Sequence, residues 1–333
     1  VSPEPAECVV SFLGQGIDAF ASCLRRFELD VRQLDSGFFN ARTITVDLDG
    51  LLLKRRTTSL RYAIKGRLPS GLIFYFPLKP QSIFVDGLLI DPQVQLISTG
   101  TRQMLSVVPA AYDHLLVWVE QQELQQLLGV AEAAAFVARA TAMDRCRVNP
   151  QRKVSLTRKL FELYCGVLYR KQALSPQDCL QLRQQIIALL DDYLRAHPQT
   201  QQRMPGGQER LLLRTIALVE AEPARAFSLD ELSAEVYASK RAIQYAFEAL
   251  VGLSPMRYVK LNRLNMIRKE LLQLGSRMHL GQLADKYQFS NQGRLVREYT
   301  DLFAEAPRDT ARRGVSRDYV PAAGVLKVSG VSA

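Results

Sequence analysis

Ser228-Leu229-Asp230-Glu231-Leu232-Ser233-Ala234, followed five residues later by Ser239-Lys240-Arg241-Ala242-Ile243-Gln244-Tyr245-Ala246-Phe247, reads as two short helices meeting at a tight turn. Ser228 with Glu231 three residues on is a capping box, whose hydroxyl and carboxylate satisfy otherwise unpaired amides, so a helix begins at about Leu229. Leu232 and Val236 lie on its inner face. A turn through Tyr237 and Ala238 leads to Ser239, a favourable N-cap for the next helix. Ile243, Phe247 and Leu250 recur at helical spacing, which buries that side and turns Lys240, Arg241, Gln244 and Tyr245 outward. Arginine and glutamine can each make paired hydrogen bonds to base edges, and tyrosine offers a ring and a hydroxyl.

Gly252-Leu253-Ser254-Pro255-Met256-Arg257-Tyr258 ends this helix and starts another, because glycine tolerates a left-handed helix end and proline the first helical turn. The new helix is predicted from about Pro255 to Leu274, with Gly275 as its stop. Twenty residues rise about 30 Å, close to the roughly 34 Å between major-groove faces one DNA turn apart. The phrase then repeats as Leu280-Gly281-Gln282-Leu283-Ala284-Asp285-Lys286-Tyr287-Gln288-Phe289-Ser290-Asn291-Gln292-Gly293-Arg294-Leu295-Val296-Arg297-Glu298-Tyr299, closing at Ala306-Pro307. Leu283, Phe289, Leu295 and Tyr299 supply its small core. Asn291, Gln292, Arg294 and Arg297 are expected on the exposed side.

Two helix-turn-helix phrases with Gly-x-Ser-Pro-x-x-Tyr between them resemble the C-terminal domain of the AraC/XylS family of bacterial transcription regulators, over roughly residues 210 to 313. The resemblance implies double-stranded promoter DNA as partner, with base-reading positions at Arg241, Gln244 and Tyr245, Lys240 near phosphate, and Asn291, Gln292 and Arg294 in the second unit beside Arg297. It also implies RNA polymerase as a further partner. Three positions depart from the family pattern: Gln288 replaces a glycine, Tyr299 a phenylalanine and Thr310 a tyrosine. Gly293 would cost about 1 kcal/mol against alanine inside a helix. The second unit is therefore expected to read DNA loosely or mainly to grip its backbone. A weaker likeness, resting on overall texture, is to proteobacterial regulators of quorum sensing and virulence; regulators of small-molecule (amine) catabolism share the layout.

Charge is concentrated in the same region. Between Val236 and Thr300 stand eleven Lys and Arg against four acids, seven of the chain's net +10. Such a surface attracts phosphates through counterion release.

Upstream the texture changes. Short runs at Phe38–Leu48, Ser59–Leu68, Leu72–Pro77, Gln93–Ser98, Gln103–Val108 and His114–Glu120, broken by Gly, Pro and Asp, predict an antiparallel barrel or sandwich. The family resemblance implies a cupin-like barrel. Trp118, Phe74, Tyr75, Phe76 and His114 either line an effector cavity there or are plain core. Two apolar stripes follow, Leu156, Leu160, Leu163 and Val167, then Leu182, Ile186, Leu189 and Tyr193. They predict an antiparallel helix pair whose exposed face would form a homodimer, or which packs only on the strands. The expected fold class is α+β: a β-rich domain over 1–145, a helical dimerisation region over 146–196, a breaker-rich linker over 197–208, an all-α DNA-binding domain over 209–313 and a tail over 314–333.

Catalytic signatures are missing. His114, His197 and His279 are scattered, Gly14-Gln15-Gly16 lacks the rest of a phosphate loop, and no nucleophile elbow occurs. No enzyme activity, metal or cofactor is expected. The five cysteines form no Cys-x-x-Cys pair. The absence of a signal pattern at Val1–Pro5 and of a long apolar run points to a cytoplasmic protein. The clusters Lys54-Arg55-Arg56 and Tyr169-Arg170-Lys171 read as solvated charge or extra phosphate contacts. The rival reading is a ligand sensor or protein-interaction scaffold with weak DNA binding.

Overall fold

The computed structural model describes residues 9–24, 29–68, 70–99, 103–170, 172–197, 204–275 and 279–315. Half of the expected linker (198–203), the tail beyond 315, the reading of Val1–Pro5, and Lys171 and Arg277 lie outside the described residues. The chain opens with β1 (Val9–Gln15), α1 (Ile17–Cys23), β2 (Leu29–Gln33), β3 (Asn40–Asp47), β4 (Leu51–Thr58), β5 (Tyr62–Arg67) and β6 (Leu72–Pro77). Then come β7 (Ile83–Val85), β8 (Leu88–Ile90), β9 (Val94–Thr99), β10 (Gln103–Val108) and β11 (Asp113–Val119). Helices α2 (Gln121–Leu128) and α3 (Val130–Met143), the short β12 (Cys146–Arg147), and the pair α4 (Pro150–Leu168) and α5 (Pro176–Arg195) follow. The remainder is helical: α6 (Gly207–Ala221), α7 (Leu229–Glu235), α8 (Lys240–Val251), α9 (Pro255–Leu274), α10 (Leu280–Lys286), α11 (Gln292–Phe303) and α12 (Pro307–Val315). No described helix is long and apolar enough to cross a membrane.

The fold is mixed α and β, with antiparallel sheets before an all-helical C-terminal part. The strands form a seven-stranded sheet, β1-β3-β4-β11-β6-β9-β12, and a five-stranded sheet, β2-β5-β10-β7-β8. Neither closes on itself, so the barrel expected from the strand spacing is two open sheets. Side chains alternate across a strand, and this sorts β4, β6 and β11 into two faces. Leu51, Leu53, Phe74, Phe76, Leu115, Val117 and Val119 are buried in one cluster with Phe136, Leu156, Leu160, Ile186 and Leu190 of the helices. The opposite face, with Leu52, Lys54, Arg56, Tyr75, His114 and Trp118, lines a cavity of about 70 Å³ walled also by residues of the five-stranded sheet. Phe74 and Phe76 therefore pack beneath the helices and not in the cavity. Arg56 is likewise no solvated charge: it stands mid-strand on the inward face, 9% exposed.

Helices α4 and α5 are well capped. Asn149 accepts from the Arg152 amide, and Ser175 with Asp178 forms a capping box, each before a proline at the first turn. Leu156, Leu160 and Ile186 of the expected dimer stripes are spent inside this chain's own core, while Leu163, Val167, Leu182 and Leu189 are half-buried.

The larger core cluster runs from the five-stranded sheet into α6 to α11. The junction is polar as well as apolar. On α9, Asn265 pairs with the edge strand β2 as another strand would: its Oδ1 accepts from the Gln33 amide at 2.8 Å and its Nδ2 donates to the Gln33 carbonyl at 2.8 Å. Arg32 donates to Asn262 Oδ1 and to Glu220, which also takes Lys65. Arg268, 5% exposed, makes two hydrogen bonds to Asp18 of α1. It also donates to the Tyr299 hydroxyl and pairs with Glu305. Thr310 donates its single proton to Glu305 at 2.6 Å, so in the 2.7 Å contact between Tyr299 and Thr310 the tyrosine is the donor. The result is a closed polar ring spanning α9, α11 and α12, with Asp18 attached from the N-terminal half.

Two outcomes follow from this junction. Asn265→Leu strands a buried amide and carbonyl of Gln33, and should lower stability by about 1–3 kcal/mol, read as a shifted urea midpoint with unchanged slope. Burial alone would raise the Glu305 pKa, but hydrogen bonds from Arg313 and Thr310 and the charge of Arg268 hold it down to about 2. A depressed carboxylate stabilises the fold fully above its ordinary value of 4.5 and loses that contribution as the pH falls toward 2. Between these values wild-type stability should fall more steeply than that of Glu305→Gln, by thermal melts across the acid range; parallel curves would contradict the ring's electrostatics.

Candidate nucleic-acid interface

Both turn-containing units form as their sequences dictate. In the first, the Ser228 amide donates to Glu231 and the Glu231 amide to Ser228 Oγ. Ser239 Oγ accepts from the Ala242 amide to start α8, and Ser254 accepts from the Arg257 amide to start α9. Leu232, Ile243, Phe247 and Tyr258 are buried beneath. Gly252 ends α8 at φ 65, left-handed backbone that glycine adopts without strain. The connecting helix α9 runs from Pro255 to Leu274 as expected, and Gly275 follows it.

Lys240, Arg241, Gln244 and Tyr245 are all exposed on α8, Tyr245 by 58%. Lys240 is ion-paired with Asp230 in the first turn of α7. Among the described contacts Arg241 and Gln244 carry no partner side chain, so their donors are available outward.

Asn291, Gln292, Arg294 and Arg297 are exposed at the start and along the outer face of α11. Two of the four already have work within the chain. Asn291 is the N-cap, its Oδ1 accepting from the Arg294 amide at 2.8 Å. Arg294 Nε lies 3.0 Å from Glu298. Gly293 is the second residue of α11 and not an interior one, with Asn291 Oδ1 3.4 Å from where a Cβ would stand. Its helix penalty is correspondingly smaller.

The three departures from the family pattern have structural partners. Gln288 occupies left-handed backbone at φ 54, where a glycine would be unstrained, and its Oε1 accepts from the Ala226 amide at 2.8 Å. Tyr237 fills the matching turn of the first unit at φ 51. Arg263 of α9 donates to the carbonyls of Tyr287 and Gln288 and lies over the Phe289 ring at 4.8 Å, which secures the second turn. Tyr299 and Thr310 belong to one another: the added hydroxyl of the first is received by the second inside the Arg268 ring.

Sequence reasoning did not find how the ends of the two exposed helices are held. Arg61, in the loop between β4 and β5, donates to the Val251 and Gly252 carbonyls, both at 2.8 Å, at the C-terminus of α8. The Leu302 carbonyl near the C-terminus of α11 accepts from Gln33 Nε2 and from the Gly37 amide. A cation near a helix C-terminus is favourable and satisfies carbonyls with no intrahelical partner. No local pattern around Arg61 signals this, because its acceptors lie 190 residues on. Among the described residues there is no cluster of three metal-ligating side chains.

The sequence matches a protein family described as a helix-turn-helix domain over residues 232–313. XylDLEGF operon transcriptional activator 1 of Pseudomonas putida is 30% identical over 101 residues, 30% of this chain and 30% of that protein. Regulatory protein HrpB of Ralstonia nicotianae is 32% identical over 84 residues, 25% of this chain and 18% of that protein. The chain thus spans less than a third of the length of these relatives. Among solved structures, the AraC-like transcriptional activator CuxR aligns over 78% of this chain and 96% of its own at 12% identity, with a TM-score of 0.44. A probable AraC family transcriptional regulator from Rhodopseudomonas palustris aligns over 32% of this chain and 97% of its own at 30% identity, with a TM-score of 0.30. The family match spans both helix-turn-helix units and their connecting helix, so this C-terminal part is a helix-turn-helix domain of the AraC type.

Proposed function

We propose that this chain is a sequence-specific, DNA-binding transcription regulator that reads two adjacent major-groove segments of double-stranded promoter DNA. The observation that carries the reading is the pair of capped units on a single twenty-residue helix, each presenting an exposed polar face. Arg241, Gln244 and Tyr245 enter one groove, with Lys240 at phosphate. In the second unit Gln292 and Arg297 approach the next groove, while Asn291 and Arg294 are freed for bases only by giving up a cap and an ion pair. This supports tighter base selection by the first unit and more backbone contact by the second. The role is regulatory and not catalytic, and it places the protein's work with the chromosome in the cytoplasm.

A homodimer reading two half-sites belongs to the same proposal, through the part of Leu163, Val167, Leu182 and Leu189 that the chain's own core leaves uncovered. RNA polymerase is a further partner, in keeping with relatives named as transcriptional activators. A cupin-like regulatory domain with a small-molecule effector between its sheets completes the reading; Tyr75, His114 and Trp118 line that space. The genes governed, whether for quorum sensing and virulence or for amine catabolism, are identified by genome-wide mapping of bound sites followed by footprinting.

Arg241→Ala should weaken binding to the selected site by about 1–3 kcal/mol and relax preference at one base pair. Equal loss on every sequence tested would make Arg241 a phosphate contact and withdraw its base-reading role. Sedimentation at micromolar concentration should show dimer; monomer alone removes the two-half-site arrangement.

A further inference from the structure

The turns of the two helix-turn-helix units share one backbone conformation, and only one of them draws a contact from it. Tyr237 in the first and Gln288 in the second both stand in left-handed backbone, at φ 51 and φ 54. There the Cβ of any residue but glycine crowds the following carbonyl oxygen, and a bulky side chain is an outlier. For Gln288 the crowding is offset within the chain, because its Oε1 accepts from the Ala226 amide at 2.8 Å. For Tyr237 it is not. The side chain is 91% exposed, and among the described residues neither its ring nor its hydroxyl meets a partner.

The turn is held without the tyrosine. Ser233 Oγ donates to the Ala238 carbonyl at 2.6 Å, the Ala238 amide donates to the Ser233 carbonyl, and Leu232 and Val236 are buried just ahead. Glycine at 237 would adopt the same φ without crowding. Strained residues persist where the surrounding structure fixes them, and they gather at sites of function. Here the position in the chain narrows the function. Only Ala238 and the N-cap Ser239 separate Tyr237 from Lys240 and Arg241, and Tyr237, Arg241 and Tyr245 follow one another at four-residue steps, all exposed. The acids of α7 nearby are ion-paired, Glu231 and Glu235 with Arg225 and Asp230 with Lys240, which tempers their repulsion of a phosphate. A phenolic hydroxyl is a donor that needs no charge to bind a phosphate oxygen.

We propose that Tyr237 is a DNA-backbone contact of the first unit, its hydroxyl donating to a phosphate at the rim of the groove that α8 enters and its ring lying along the adjoining sugar. This rests on the DNA-reading role proposed above and adds to it a residue outside the recognition helix. Phosphate contacts carry no sequence information, but they fix the register in which base-reading side chains meet the duplex. Tyr237, just ahead of the N-cap, anchors the end of α8 that carries Arg241. Salt distinguishes it from Lys240: a cation on a phosphate releases a counterion, and a neutral hydroxyl releases none.

The test pairs stability with binding in the purified full chain, using a footprinted promoter fragment and a scrambled duplex of equal length. Tyr237→Gly relieves the crowded backbone, so its melting temperature should equal or exceed that of wild type. Its affinity should fall on the order of tenfold on both duplexes, the loss expected for one hydrogen bond to a charged group. Tyr237→Phe keeps the backbone and the ring and removes the donor; it should melt with wild type and lose most of the same affinity. The slope of log affinity against log salt should stay at the wild-type value in both variants, and become shallower by about one in Lys240→Ala. Wild-type affinity in both tyrosine variants overturns the contact, and if promoter activity falls all the same, a protein partner takes the ring. Loss confined to the promoter fragment makes Tyr237 a base reader and overturns the backbone assignment. A Tyr237→Gly protein that melts below wild type shows that the fold itself needs the side chain, and overturns the inference from strain. Wild type that binds neither duplex withdraws the DNA-reading role itself, and the contact with it.

Discussion

The structure depends on the pairing of α9 with the edge of β2. A helix joining two DNA-reading units would be expected to show a polar surface wherever it does not touch them. Here Asn262, Asn265 and Arg268 are buried along α9, and what satisfies them comes largely from the N-terminal half. An open sheet edge needs a cover for its unpaired amides and carbonyls, and a buried helical asparagine needs partners for its amide group. Each answers the other. Neither half could withdraw without stranding buried polar groups in both, so the sheet-bearing and helical parts are held as one unit by mutual need and not by the connecting chain.

This changes the meaning of the basic character of the C-terminal part. Read along the sequence, its cations are a field for phosphate. In the fold many of them are already engaged: Arg268 with Asp18 and Glu305, Arg263 with the carbonyls of the second turn, Lys286 with Glu270, Arg294 with Glu298 and Lys240 with Asp230. Arg263 and Arg268 face inward and contribute to rigidity. Lys240 and Arg294 are exposed and in surface pairs, worth little and easily exchanged for a phosphate. Counting charges cannot separate these two kinds, because the difference lies in what each helix face packs against.

The C-terminal part was the more legible for a physical reason. Its signals are local: a capping box at Ser228, serine caps at 239 and 254, glycine at helix ends and period-3.6 stripes act within a turn or two of chain, and the boundaries of α7, α8 and α9 follow from them. Helix α12 is marked only by Ala306-Pro307 at its start, and the alanine-rich α3 carries no cap or stripe strong enough to announce it. In the N-terminal part the strands were visible by alternation, but a barrel and two facing sheets share that alternation. What separates them is where the edges go, and β2 goes to a helix some 230 residues distant. The same non-locality hid Arg56, since a cation in a strand reads as a solvent-facing residue until the register puts Thr43 and His114 beside it.

The two recognition helices end on parallel arrangements. Arg61 takes the last carbonyls of α8, and Gln33 with Gly37 takes the Leu302 carbonyl of α11, so both C-termini rest on segments flanking the five-stranded sheet. Their N-termini, where the proposed base contacts lie, are left exposed. A lever fixed at one end and free at the other converts a small movement of its support into a larger one at its tip. The C-terminal ends of α8 and α11 are thus held by Arg61 and Gln33, which stand on adjacent strand ends of one sheet, as well as by α9. Tyr299 and Thr310 serve the same end: by closing the ring on Arg268 they attach α11 and α12 to α9 at the point where Asp18 attaches α9 to the N-terminal half. Residues that look like departures in the second helix-turn-helix unit are, in this fold, the means by which that unit is held to the N-terminal half.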